Sequence, residues 1–183
     1  MRVLTAARVV AVGCAGLYAG ILLGDLAGPA QARPVMEPSS FVQLQQTIHS
    51  RYVFLMPTLM AAVVLACAAW LVLIRSNRRS AEFWLVLGTV AGIVFCGIIT
   101  RLVNVPLNEQ LVSWSVAFPP PNVHALWAPW EGAHAIRTVV ALAAFVLSVI
   151  AVAVAVPPTP LPSAVSDEGA AEPTIPSDGS ELP

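Results

Sequence analysis

Four long apolar segments, separated by shorter polar ones, dominate the chain. They cover approximately residues 7–27, 52–74, 83–102 and 138–156, and none has a charged residue in its central part. Each is close to the roughly 20 residues that a helix needs to cross the hydrocarbon core of a bilayer. The pattern therefore predicts an all-α fold, an integral membrane four-helix bundle formed by residues 1–156.

Composition supports the same class. Hydrophobic residues make up 57% of the 183 residues and charged residues only 10%, whereas a soluble domain has about 25% charged residues. The first segment, with Arg2 and Arg8 before it, also resembles a secretory signal. Its apolar run exceeds the roughly 7–15 residues of a signal core, so we predict a helix that is retained.

The two long connections, residues 28–51 and 103–136, are predicted to share one side of the membrane because successive spans alternate in direction. Arginines gather at the opposite ends of the spans: Arg2, Arg8, Arg75, Arg78 and Arg79. The positive-inside rule then places both termini in the cytoplasm.

Residues 157–183 differ in character from the rest of the chain. They are rich in Pro, Ser, Ala and acidic residues and contain no aromatic or basic residue. Such a segment buries too little apolar surface to offset its ordering entropy, so we predict a disordered acidic tail. The bilayer is the predicted partner. The chain has no basic patch for nucleic acid, and its oligomeric state is left open.

The first polar motif is "RLVNVPLNEQL", residues 101–111. On a continuing helix Arg101, Asn104 and Asn108 would line one face, since they are three and four residues apart. Pro106 favours a break in the helix. The segment is therefore interpreted either as an unwound stretch that lines a cavity or as a short helix capped by Asn104, with Pro106 in its first turn. The two alternatives are compatible.

The second motif is "WAPWEGAHAIR", residues 127–137. A helix that begins near Pro129 would place Trp130, His134 and Arg137 on one stripe at the mouth of the bundle. Trp127 would precede this helix as an interfacial anchor. Ionisable groups within spans tend to face the interior and to mark sites. We therefore predict functional roles for His134 and Arg137.

Other polar residues fall on the same side. His49, in "TIHSRY", opens the second span, and Asp25 ends the first, where an arginine is available as its partner. Neutral imidazoles of His49 and His134 would suit copper or axial ligation of haem, although the chain has no recognisable metal motif. His124 is interpreted as a solvated loop residue.

Two of these motifs in order, "NVPLNEQL" and then "WEGAHAIR", resemble the anthrone-oxygenase-like family of small four-helix membrane proteins. That family has an Asn-x-Pro-x-Asn element after the third span and a Trp-x3-His-x2-Arg element leading into the fourth. The matching residues here are Asn104, Pro106, Asn108, Trp130, His134 and Arg137. The stretch "QLQQTIHSRYVFLMP" is similar as well, and the resemblance covers roughly residues 9–155.

The resemblance implies oxidation of an anthrone to an anthraquinone by molecular oxygen, without metal or flavin. Many family members lie outside such pathways, so the implied substrate class is a small aromatic or lipophilic molecule. An anthrone must first lose a proton to become an enolate that oxygen can attack. His134 suits the role of base, and Arg137 and Asn108 suit stabilisation of the oxyanion.

Trp130 is predicted to form a flat wall for the substrate, and Asn104 and His49 to bind it, with His49 as a second acid–base group. Two other classes stay open. One is a non-catalytic membrane binding or accessory protein. The other is a redox protein that holds haem or copper through His49 and His134.

Overall fold

The computed structural model describes residues 2–155, and all regular structure in that range is helical. The α-helices are α1 (Arg2–Ala27), α2 (Pro29–Ala32), α3 (Pro38–Leu73), α4 (Ala81–Ile99), α5 (Val105–Ser113) and α6 (Val123–Ala155). Two 3-10 turns, Arg33–Val35 and Arg75–Asn77, and one π-helical turn, Thr100–Asn104, connect them.

Four continuous helical segments are long and apolar enough to cross a membrane: Arg2–Val35, Pro38–Leu73, Ala81–Ser113 and Val123–Ala155. The predicted all-α membrane bundle is thereby confirmed. The predicted acidic tail lies outside the described residues, and the cytoplasmic position of the termini stays a prediction.

The four long helices pack as a square in which α1 and α4 each contact both α3 and α6. Small residues let the helix backbones approach closely, as is common in membrane bundles. At the contact between α4 and α6, a Cβ added to Gly92 would lie 3.2 Å from the Cβ of Ala144. The Thr89 hydroxyl donates to the carbonyl of Ala144 at 3.2 Å. The core between the helices is tight and largely apolar.

Two helices extend well beyond the apolar runs of the sequence. Helix α3 begins at Pro38, which takes the first turn where its missing N–H costs nothing. The predicted start of α6 near Pro129 is wrong, because the helix begins at Val123 and Pro129 lies inside it. The first turn closes before this proline, since the N–H of Leu126 donates to the carbonyl of Asn122 at 3.1 Å.

The two connections meet at the same end of the bundle, as predicted. Gln46 of α3 donates to the carbonyls of Leu111 and Trp114 at 3.0 and 2.9 Å, which ties the end of α5 to α3. His124 is not a solvated loop residue, so that interpretation was wrong. Its ring contacts the Met36 carbonyl at 3.0 Å within the first turn of α6.

The π-helical turn joins α4 to α5 without unwinding. The N–H of Val105 donates to the carbonyl of Thr100, five residues earlier, and Pro106 follows in the first turn of α5. Pro106 is thus placed as predicted, but the Asn104 side chain caps no helix. Because a π turn is wider than an α turn, Arg101 leaves the face that it was predicted to share with Asn104 and Asn108, and it is exposed.

Candidate functional site

A cavity of about 540 Å³ lies at the end of the bundle where the connections meet. Its walls come from α1, α3, the π turn, α5 and α6. The residues predicted as site residues all line it: His49, Asn104, Asn108, Trp130, His134 and Arg137. The fold therefore brings together groups that are separated by as much as half of the chain.

Most of the cavity wall is apolar. Aliphatic and thioether side chains of α1, α3 and α5 form it, among them Ile21, Leu22, Val53, Met56 and Val112. Cavities of about 300–1,000 Å³ with apolar walls and a few placed polar groups are typical of sites for small organic molecules. The size and the lining thus favour a compact lipophilic ligand over a polar metabolite.

Aromatic rings stack along the cavity side of α6. The rings of Trp127 and Trp130 lie 4.8 Å apart at 19°, and those of Trp130 and His134 lie 5.0 Å apart at 17°. The guanidinium groups of Arg33 and Arg137 also lie over the Trp130 ring, 5.4 and 5.7 Å from its centre. Its edge is turned towards α5, where Nε1 donates to Asn108 Oδ1 at 2.9 Å. The face of the Trp130 ring is thus in contact with other groups of the protein, and its role as a wall for the substrate stays a prediction.

Trp127 is part of this packing and not an interfacial anchor. Only 2% of it is exposed, its ring meets Phe41 edge to face at 6.0 Å, and its Nε1 donates to Glu131 at 3.0 Å. The prediction from the aromatic belt was wrong because the helix starts earlier and turns Trp127 into the protein.

His134 is buried and has a contact at each ring nitrogen. Its Nδ1 lies 3.3 Å from Arg137 Nη2, and its Nε2 lies 3.1 Å from Asp25 Oδ2. A guanidinium only donates hydrogen bonds, so Nδ1 accepts and Nε2 carries the proton that faces the carboxylate. The bond from Arg137 selects the tautomer of a neutral ring, and Nε2 faces Asp25 without a hydrogen bond.

Arg137 is held by its neighbours but keeps donor capacity. Nη1 donates to Thr100 Oγ1 at 3.0 Å, and Nη2 donates to His134. These bonds engage only two of the five N–H groups of a guanidinium. Asn108 is similar, since its carbonyl oxygen accepts from Trp130 while its amide N–H groups have no protein acceptor in the described chain.

Arg33 is the residue that the sequence analysis missed. It lies in the 3-10 turn after α2 with only 2% of its surface exposed. Its guanidinium pairs with Asp25, donates to both oxygens of Glu131 at 2.9 and 3.0 Å, and donates to Gln45 at 3.1 Å. Arg33 therefore joins α1, α3 and α6 behind the cavity. No spacing in the sequence signals this, because Arg33 and Glu131 are 98 residues apart.

His49 has a different environment from His134. It lines the cavity from α3 and is half-buried. Neither of its ring nitrogens has a hydrogen-bond partner among residues 2–155. In the same range, no three His, Cys, Asp or Glu side chains gather in a way that would hold a metal ion.

A family model for anthrone oxygenases matches residues 46–147, more than half of the chain. The chain belongs to the anthrone oxygenase family. The match confirms the resemblance of the two motifs and contains every site residue predicted from them, whereas Asp25 and Arg33 lie before it. Searches of curated proteins and of solved structures gave no match.

Proposed function

We propose that this anthrone oxygenase family member is a membrane oxygenase that uses molecular oxygen to oxidise a small, planar, lipophilic aromatic molecule. One observation carries the proposal: the family's motif residues converge on a single apolar cavity with spare hydrogen-bond donors. A cavity of this kind suits a polycyclic ketone whose ring carbon opposite the carbonyl bears two hydrogens.

The reaction balances with oxygen as the only oxidant. A base removes one proton from the CH₂ carbon, and the electron pair moves through the rings to the carbonyl oxygen. The enolate then reduces O₂, and a C–O bond forms to give a peroxide at that carbon. Loss of the second proton from this carbon breaks the O–O bond. The products are a second ring carbonyl and one molecule of water.

Arg137 and Asn108 suit the negative charge that develops in these steps. Donors that are already oriented stabilise an oxyanion strongly in a site from which water is largely excluded. Arg137 is held by Thr100 and His134, and Asn108 by Trp130, so both are oriented before the substrate binds. Asn104 lines the same wall, but its amide donates to the Trp130 carbonyl and its unpartnered atom is an oxygen, so it suits a hydroxyl of the substrate and not the oxyanion.

We propose that the reaction uses no bound metal or organic cofactor. The enolate itself supplies the electrons to oxygen, so the chemistry does not require another redox group. Ligation of haem or copper by His49 and His134 together would need a free ring nitrogen on each. Nδ1 of His134 already accepts from Arg137, and Nε2 faces the Asp25 carboxylate at 3.1 Å and not the open cavity of a shared ligand.

A non-catalytic binding protein is the second candidate, because the cluster around His134 satisfies much of its own hydrogen bonding. The same cavity would then bind a lipophilic molecule without turning it over. Oxygen consumption separates the two candidates, since both predict binding and only the oxygenase predicts a product.

The first experiment measures oxygen consumption by the full chain in lipid nanodiscs with anthrone as substrate. We expect consumption above the uncatalysed rate, and label from ¹⁸O₂ in one carbonyl of the product. Arg137→Gln should lower kcat at least about 100-fold, the usual effect of losing an oxyanion donor.

Arg101→Gln is the matched control, because Arg101 is an exposed arginine near the same end that does not line the cavity. It should retain the wild-type rate. Thermal unfolding of each variant checks that it folds. Binding of the anthraquinone product without consumption of oxygen would contradict the oxygenase and support the binding protein.

A further inference from the structure

Two histidines line the cavity, and they differ in burial and in the contacts of their ring nitrogens. His134 is 2% exposed and is contacted at both ring nitrogens. His49 is half-buried, lines the same cavity and has no protein partner at either nitrogen within residues 2–155. A base needs a free lone pair within reach of the substrate, so the two residues are not equivalent candidates.

The lone pair of His134 is already in use. Arg137 Nη2 donates to Nδ1, and Nε2 carries the proton that faces Asp25. A proton on Nδ1 would point at the guanidinium, where two donors and two positive charges would oppose each other. His134 can accept a proton only if Arg137 first leaves, and Arg137 is also held by Thr100.

The carboxylate behind His134 is itself fixed in place. One oxygen of Asp25 pairs with Arg33 and the other faces His134 Nε2. Arg33 is further held by Glu131 and Gln45. Asp25 Oδ2 and His134 Nε2 face each other at 3.1 Å, although neither atom has a hydrogen-bond partner in the described chain. The guanidinium of Arg137 keeps the Nδ1 lone pair of His134 occupied.

His49 lies on a different helix, on the face of α3 that also presents Gln45 and Met56 to the cavity. Imidazole is the side chain that takes up and releases protons near neutral pH. Glu109 also lines the cavity and is exposed, but a carboxylate in water is a weaker base than imidazole.

We infer that His49 removes the proton from the CH₂ carbon of the substrate, and that His134 is a positioning residue that orients Arg137. In this step the C–H bond breaks, a ring nitrogen of His49 gains the proton, and the electron pair moves to the substrate carbonyl oxygen. Nothing is oxidised until O₂ reacts. This inference rests on the proposed function for its substrate class, and it differs from the sequence prediction, which made His134 the base.

Proton removal can be measured apart from oxidation. Anthrone is incubated with the protein in nanodiscs, in D₂O and without oxygen, and exchange of its CH₂ hydrogens is followed by mass spectrometry. Wild type should exceed the rate in empty nanodiscs. His49→Gln should lower this excess by about 100-fold or more, the usual contribution of a general base. Added imidazole should restore exchange to His49→Ala.

His134→Gln tests the positioning role. Glutamine can donate from its amide to Asp25 and accept at its carbonyl from Arg137, but it cannot act as a base. We expect the exchange rate of this variant to fall less than tenfold. His134→Leu makes neither contact, so its exchange rate should fall far more. His124→Gln removes a histidine that does not line the cavity and should exchange like wild type.

Retained exchange in His49→Gln would overturn the inference, whether or not the His134 variants fold. So would loss of exchange in Glu109→Gln without loss in His49→Gln, or equal losses in His134→Gln and His134→Leu when both unfold at the wild-type temperature. Exchange by the wild type without later consumption of oxygen would refute the oxygenase and leave the assignment of His49 standing.

Discussion

The two ends of the bundle carry clusters of the same residue types with different surroundings. At one end, Arg8 Nη2 pairs with Glu82 Oε1 at 2.6 Å, Trp70 Nε1 donates to the same oxygen at 2.7 Å, and the Arg8 guanidinium lies 5.7 Å from the centre of the Trp70 ring. At the other end, Arg33 pairs with Asp25 and Glu131, and its guanidinium lies 5.4 Å from the centre of the Trp130 ring.

The clusters differ in what they contact next. Arg8, Glu82 and Trp70 contact one another, and none of them lines the cavity. Asp25, by contrast, contacts both Arg33 and His134. His134 in turn contacts Arg137, and all but Arg33 line the cavity. A cluster of an arginine, a carboxylate and a tryptophan therefore does not by itself indicate a binding site. A cavity and donors left without acceptors distinguish the second cluster.

The largest effect should come from Arg33→Met, which leaves Asp25 and Glu131 without their counterion. Removing one partner from a buried ion pair costs about 3–5 kcal/mol, because the remaining charge is uncompensated. We expect the free energy of unfolding to fall by that amount, as measured by denaturant unfolding in detergent micelles. Arg101→Met, at an exposed position, should change it little. An Arg33→Met protein as stable as wild type would show that this cluster does not hold the helices together.

Glu82→Gln should have a smaller effect that is confined to stability. The amide can still accept from Trp70 but loses the charge that pairs with Arg8. Hydrogen bonds to charged groups contribute about 1.5–3 kcal/mol, so the same unfolding measurement should show a loss in that range. The rate of oxygen consumption should stay at the wild-type value once the protein is folded. A drop in this rate would contradict the distinction between the two ends.

Asn108 offers the finest comparison, because two substitutions separate its two hydrogen-bonding roles. Asn108→Leu removes the acceptor of Trp130 Nε1 and should cost about 1 kcal/mol of stability. Asn108→Asp keeps an acceptor for Trp130 and removes the amide donors, so it should unfold like wild type yet turn substrate over more slowly. Equal rates for wild type and Asn108→Asp would exclude the amide from oxyanion stabilisation.

Much of the site was predictable because helical periodicity acts over short distances. The spacing of Trp130, His134 and Arg137 predicts one stripe, and the structure brings these side chains together through a ring stack and a hydrogen bond. Pro106 signalled an irregular helix, but its π-helical form depends on which carbonyl the Val105 N–H reaches. The early start of α6 was also missed, because the length of an apolar run reflects the thickness of the bilayer and not the length of the helix.

The sequence by itself determined the membrane bundle, the shared side of its two connections and the family. These depend on the length of the apolar runs, on the alternating direction of successive spans and on local motifs. All three can be read from short stretches of the chain. Tertiary structure alone decided that Arg33 would neutralise Asp25 and Glu131, and that Trp130 would stack with Trp127 and His134. It also decided that Nδ1 of His134, unlike the ring nitrogens of His49, would accept from an arginine. Those outcomes depend on contacts between distant segments, for which hydrophobic periodicity carries no signal.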